Sequence, residues 1–169
     1  MSAPESSAAR TKTITWEDPL VGARLAATMT GLDYLHAMID GSIPPPPITA
    51  TMNLEFVSAE EGLVVFTCQA DESHYNPIGV VHGGFVCTAL DTVAGCAVHS
   101  TLPAGTGYTS IEIKVSYLRP VTVDSGPLRA EGRIVKSGSR VAFAEGTITD
   151  AQGRVVATAS STLLVFPLR

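Results

Sequence analysis

The chain has 169 residues, a formal charge of −5, and 45% apolar against 16% charged residues. That length fits one domain with a sizeable core. The negative balance excludes a global attraction to nucleic acid or to an acidic membrane surface, and the apolar excess points to a face covered by another subunit.

The opening segment MSAPESSAARTKTITWEDP lacks the apolar stretch of a secretion signal. No uninterrupted apolar run approaches the roughly 18 residues of a membrane span. Cys68, Cys87 and Cys96 are an odd number with no CxxC spacing, set among small or apolar neighbours. They read as buried, reduced thiols, and no Cys/His spacing suits zinc. A cytoplasmic protein without a metal is expected.

Residues 1–15 are small and polar and read as a disordered tail. Asp18-Pro19 supplies an N-cap and a proline at the first helical position. Val21, Leu25, Met29, Leu32, Leu35 and Ile39 then recur in steps of three and four, which predicts a helical segment over 16–43. Gly31 is placed to split this helix and Gly41 to stop it. Pro44 to Pro47 reads as an extended connector into a strand over about 48–57. Glu60-Glu61-Gly62 makes a turn, and a second strand runs from Leu63 to Ala70.

After a turn-rich stretch, Ser73 to Gly79, a helix is predicted over Gly83 to Thr101, ended by Leu102-Pro103. Four strands follow near 107–118, 127–137, 139–149 and 154–166. In the strand over 127–137, Leu128, Ala130, Gly132 and Ile134 alternate with Arg129, Glu131 and Arg133, the pattern of an antiparallel strand with one wet face. Phe85, Val86, Ala89, Leu90, Val93, Ala94, Ala97 and Val98 cover most of the circumference of the central helix, so that helix must be buried on nearly all sides. An antiparallel sheet curled around it is the expected architecture.

Between Ser73 and Ile111, Asp91 is the only Asp, Glu, Lys or Arg. It lies well inside the helix and caps nothing. Burying a carboxylate costs several kcal/mol unless it is paired, hydrogen-bonded or protonated. Two readings are open: a reactive group, or a carboxylate satisfied by Thr88 or a backbone group at a subunit contact. Gly83-Gly84 at the helix start has two readings as well. It is an ordinary glycine-rich turn, or a place where a ligand approaches backbone N–H groups at the positive end of the helix dipole. Gly83 and Asp91 are eight residues apart, roughly 12 Å along one helix. One small reacting group therefore cannot easily touch both unless a second, antiparallel subunit supplies one of them.

Asn76-Pro77-Ile78-Gly79-Val80-Val81-His82-Gly83-Gly84 followed by Asp91 resembles the hotdog-fold thioesterases, specifically the phenylacetate-degradation (PaaI-like) branch. Gly95-Cys96-Ala97, Thr109-Ser110-Ile111-Glu112 and Tyr117-Leu118-Arg119-Pro120 extend the resemblance, which covers about residues 40–166. It implies an α+β hotdog domain over 44–169, with a helical extension before it. It also implies an acyl-CoA thioesterase assembled as a dimer or a tetramer of two dimers, with no cofactor beyond the CoA of the substrate.

Residue by residue, the resemblance makes Asp91 the general base or nucleophile and the Gly83 N–H the donor that polarises the thioester carbonyl. Asn76 stands near the reacting water or carbonyl, His82 near the thioester group, and Ser110 beside the acid. Gly84, Thr92, Arg119 and the run Lys136, Ser137, Gly138, Ser139 and Arg140 are expected to contact substrate or CoA. For the cations, solvated charges on a hairpin are an equally simple reading. An aryl-acyl or medium-chain acyl group is the implied substrate. Two alternatives stand beside this: a non-catalytic acyl-CoA-binding or sensing module, and a hotdog hydratase or dehydratase. The hydratase pattern carries Gly-Asp before its Asn-Pro, where this chain has Ser73-His74-Tyr75.

Overall fold

A computed structural model describes residues 8–168. Residues 8–18 carry no helix or strand, although Lys12 Nζ lies 2.8 Å from Asp71 Oδ2. Residues 1–7 of the expected tail lie outside the described residues. Among those described, no helix is long and apolar enough to cross a membrane.

Helix α1 (Pro19–Ala26) starts as expected: the Asp18 side chain accepts from Leu20 N and Pro19 takes the first helical position. The chain then breaks, and α2 (Gly31–Ile39) begins at a Thr30 cap. A Cβ on Gly31 would stand 1.7 Å from the His99 carbonyl oxygen, and Gly31 N–H donates to Leu102 O at 2.9 Å. This close docking redirects the chain and divides the helical segment at Gly31, the split that the sequence suggests. Leu35 is fully buried, while Val21 and Leu25 remain exposed.

The proline run corrects one expectation. It is extended only through Pro46 (ψ 147°), and Pro47 opens a short helix, α3 (Pro47–Thr51). Proline at the first turn of a helix is as well tolerated as proline in an extended connector, because the missing N–H would have no partner there. The first strand, β1 (Leu54–Glu60), therefore begins six residues later than position 48. Strand β2 (Leu63–Cys68) follows the expected turn, where Gly62 adopts φ +78°.

Then come α4 (Gly83–His99), β3 (Thr106–Tyr117), β4 (Leu128–Lys136), β5 (Val141–Thr149) and β6 (Val155–Pro167). All six strands form one antiparallel sheet in the order β1-β2-β4-β5-β6-β3. Helix α4 lies across its concave face, packed on β2 to β6. This is the hotdog arrangement that the resemblance implies. The eight apolar residues named on α4 are each 3% exposed or less.

Close approach of α4 depends on β4 and β5. Gly132 and Gly146 pair across these strands, and a Cβ on Gly132 would stand 2.1 Å from the Val93 carbonyl oxygen. On the wet side of β4, Glu131 accepts from Arg129 at 2.7 Å and from Arg133 at 2.8 Å, as the alternation predicts.

Candidate active site

The stretch before α4 is a tightly bonded platform. The Asp71 side chain caps a short turn over Glu72–His74, and the His74 ring packs on Phe85 at 4.6 Å. Asn76 Oδ1 accepts from Ile78 N at 3.1 Å and Val80 N at 3.3 Å, closing a turn that Gly79 permits with φ +81°. The amide oxygen is thus committed locally, while the Asn76 NH2 donates to nothing among the described residues and remains available to a ligand. The platform is fixed to its neighbours by Val81 N–H donating to Val121 O and His82 N–H donating to His74 O.

His82 caps α4. Its Nδ1 accepts from Gly84 N at 2.8 Å, so the neutral ring carries its proton on Nε2 as a donor. Histidine is outside the usual set of capping residues, which is why this role is not readable from the sequence. The bond also settles what the two glycines offer. The Gly84 N–H is occupied by His82, and Phe85 N–H donates to His82 O at 3.0 Å. The Gly83 N–H alone in this run lacks an acceptor among the described residues. Tyr117, which sequence reasoning did not single out, donates its hydroxyl to Gly83 O at 3.0 Å and steadies this first peptide of the helix.

Two turns along, Asp91 finds its partner on another element. Ser110 Oγ donates to Asp91 Oδ1 at 2.7 Å. Thr88 and Thr92 do not satisfy the carboxylate: each hydroxyl donates back to a helix carbonyl, Gly84 O and Thr88 O respectively. Ser110 is aimed by a bulge in β3. Ser110 pairs with Leu163 and Glu112 with Thr162, leaving Ile111 unpaired on the partner strand. Strand β3 is an edge of the sheet, so Asp91 and Ser110 lie along the side where a second chain can dock. Ser110→Ala is expected to lower kcat about tenfold or somewhat more, the worth of one hydrogen bond to a charged group. The check is steady-state kinetics with circular dichroism showing an unchanged fold.

Nucleophilic thiols have no part in this geometry. Burial pushes Cys68 and Cys96 up to about 12, and burial followed by the nearby Asp91 charge raises Cys87. All three cysteines are free.

At the far end of α4, the His99 ring packs in tilted contact with Tyr34 and with Tyr108, each at 5.4 Å. Burial lowers the His99 pKa from 6.5 to about 4. The unfolded chain then binds a proton at pH values where the folded chain does not. His99 therefore leaves stability unchanged above pH 6.5 and removes it as pH falls from there to about 4. Urea midpoints should fall between pH 7.5 and pH 5 in the wild type, and fall less in His99→Gln.

The expected CoA contacts are not gathered at one place. Arg119 borders a pocket of about 310 Å³ with Gly83, Tyr117 and Val86, at the start of α4, and its guanidinium donates to Val155 O. The run Lys136–Arg140 forms the β4–β5 hairpin. Ser137 Oγ lies 3.4 Å from Thr101 Oγ1, which puts this hairpin beyond the other end of α4. Lys136, Ser137, Ser139 and Arg140 are exposed, whereas Gly138 is needed for shape: a Cβ there would stand 2.3 Å from Val141 O.

Residues 78–157 match the family model described as the thioesterase superfamily. A presumed esterase of Halobacterium salinarum is 38% identical over 151 residues, covering 82% of this chain and 98% of its own. Human acyl-coenzyme A thioesterase 13 is 28% identical over 105 residues, 62% of this chain and 74% of that protein. Among solved structures, a presumed thioesterase of Ralstonia eutropha related to phenylacetic acid degradation superposes with a TM-score of 0.71. It shares 28% identity over 78% of this chain and 98% of its own. With a relative 38% identical and matched over almost its whole length, and a family model matched over residues 78–157, the chain belongs to the thioesterase superfamily.

Proposed function

We propose that the chain hydrolyses the thioester of an aryl-acyl-CoA or medium-chain acyl-CoA, at a site completed by a second copy of itself. The observation that carries this reading is the lone carboxylate of α4. Asp91 is held through Oδ1 by the Ser110 hydroxyl, and Oδ2 meets no donor among the described residues. A carboxylate fixed at one oxygen and open at the other is built to take a proton from water.

In the reaction, Asp91 Oδ2 accepts a proton as the water oxygen attacks the thioester carbonyl. The carbonyl electrons move onto oxygen, where the Gly83 N–H of the second copy and the positive end of its α4 stabilise them. The His82 Nε2–H and the Asn76 NH2 stand beside this donor and orient the carbonyl and the water. Collapse of the tetrahedral species breaks the C–S bond and expels CoA as thiolate. Attack by the carboxylate itself would instead expel CoA and form a mixed anhydride, and its hydrolysis at the aspartyl carbonyl would carry label from 18O-water into Asp91.

The trans arrangement follows from length, since Gly83 and Asp91 stand roughly 12 Å apart on one helix. A dimer across β3 therefore forms the working unit, and a tetramer pairs two of these. With a chain of net charge −5, the CoA phosphates fall to local cations, Arg119, Lys136 and Arg140. No further cofactor enters the chemistry.

Thiol release from a panel of acyl-CoAs by the purified protein tests the proposal. Turnover supports it. Tight acyl-CoA binding without thiol release would make the chain a sensing module and Asp91 a structural residue.

A further inference from the structure

The bulge in β3 changes which residues of that strand face α4. Before it the inner side carries even positions, Tyr108 packed against the core and Ser110 bonded to Asp91. After it the inner side carries odd positions, Ile113 and Val115, while Glu112 and Lys114 are exposed. Side chains alternate strictly along an unbroken strand, so a regular β3 would offer only one of these sets. Keeping Ser110 on Asp91 would turn Glu112 and Lys114 towards the core. Keeping Ile113 and Val115 inside would turn Ser110 away. The extra residue, Ile111, lets both sets face inwards and is itself 57% exposed at the sheet edge.

Strand β6 fastens this switch in place. Its inner row runs Ala157, Ala159, Ser161, Leu163 and Val165, all buried, and Ser161, 4% exposed, is the one polar member. The Ser161 hydroxyl donates to Glu112 O at 2.9 Å. The next residue, Thr162, donates to Glu112 Oε2 at 3.1 Å. Glu112 is the first residue of β3 to pair after the bulge, and two consecutive hydroxyls of β6 thus hold it by its carbonyl and by its side chain. The alanines of the same row show that packing alone does not require a hydroxyl at 161. Removing it would leave the Glu112 carbonyl without this donor and favour a relaxed bulge.

We propose that Ser161 is a positioning residue: by fixing Glu112 just past the bulge, it keeps Ser110 turned towards Asp91. The proposal rests on the acyl-CoA hydrolysis reading above. It adds to that site a residue outside the family match over 78–157, whose hydroxyl is bonded to neither Asp91 nor Ser110.

The test is a double-mutant cycle in the full-length protein, reading kcat and KM for thiol release. Ser161→Ala removes a single oxygen atom and is expected to lower kcat about three- to tenfold, with KM changed by less than about twofold. In a Ser110→Ala background the same substitution should lower kcat by less than about twofold, because the contact it protects is already gone. Amide hydrogen exchange in Ser161→Ala should quicken about tenfold or more over residues 108–114 and stay unchanged in β4. An unchanged kcat in Ser161→Ala would overturn the proposal. So would equal losses in the two backgrounds, which would make Ser161 a residue of general stability. If the wild type releases no thiol from any acyl-CoA, the proposed function fails instead. Exchange over 108–114 then decides alone whether Ser161 holds the bulge, and unchanged exchange there overturns it.

Discussion

Asp91→Ala is expected to keep its fold and lose acyl-CoA hydrolysis by a factor of about 10²–10⁴, the range that a positioned general base supplies. Nothing in the packing opposes the change. Alanine is the better helix former, and the Ser110 hydroxyl is left to solvent or to the docked chain. The opposing half of the site has an equally clean variant. Gly83 is the first residue of α4, its N–H has no acceptor among the described residues, and His82 before it is extended with φ −61° and ψ 137°. Proline fits such a position and removes only the N–H. A Cβ there would meet the end of the Tyr117 ring at 3.1 Å, a side chain that can shift. Gly83→Pro should therefore lose about 10²–10³ in kcat. Co-expressing Asp91→Ala with Gly83→Pro should restore roughly a quarter of wild-type activity, since half the dimers are hybrid and each hybrid holds one intact site. No recovery in verified hybrids would place both groups of each site on one chain.

The largest expected effect on stability is at Gly132. Its added Cβ meets a main-chain carbonyl, Val93 O, at 2.1 Å, and neither β4 nor α4 can yield without losing bonds. Gly132→Ala is expected to cost about 3 kcal/mol or more. At this chain length that lowers Tm by roughly 6–12 °C. Gly146→Ala is the control. Its nearest neighbour is the end of the Leu90 side chain at 3.0 Å, which can rotate aside, so the cost should be about 1 kcal/mol. Thermal melts of the two variants followed by circular dichroism would separate backbone contact from side-chain contact. Equal losses would contradict the tight seat of α4.

Much of this architecture was legible because single residues had few options. Alternation in Leu128 to Ile134 fixes which face of β4 is buried, and an α4 apolar over most of its circumference has nowhere to go except under the sheet. Asp91 stood out because no other carboxylate or cation lies between Ser73 and Ile111. What could not be read depends on contacts between distant segments. Pro47 satisfies a connector and a helix start equally well, and only docking of α3 beside β1 decides it. Gly31 marks the break in the apolar stripe over 21–39, but its reason, contact with His99 O from a segment almost seventy residues away, is absent from the stripe. His82 as a cap and Tyr117 on Gly83 O leave no local pattern, since each role exists only once the turn before α4 and strand β3 are in place.

The position of β6 between β5 and β3 also bears on how the chain is made. Strand β3 is complete by Tyr117, but its only strand partner among the described residues is 155–167. During synthesis β3 therefore waits with both edges open while β4 and β5 are added, and α4 lacks one wall of its groove for the same interval. Closing so distant a pair is slow on entropic grounds, and unpaired edges invite pairing with other chains. A stop codon within β6 would strand β3 and bare β5 together. Such truncated chains are expected to aggregate rather than to persist as weakened enzymes.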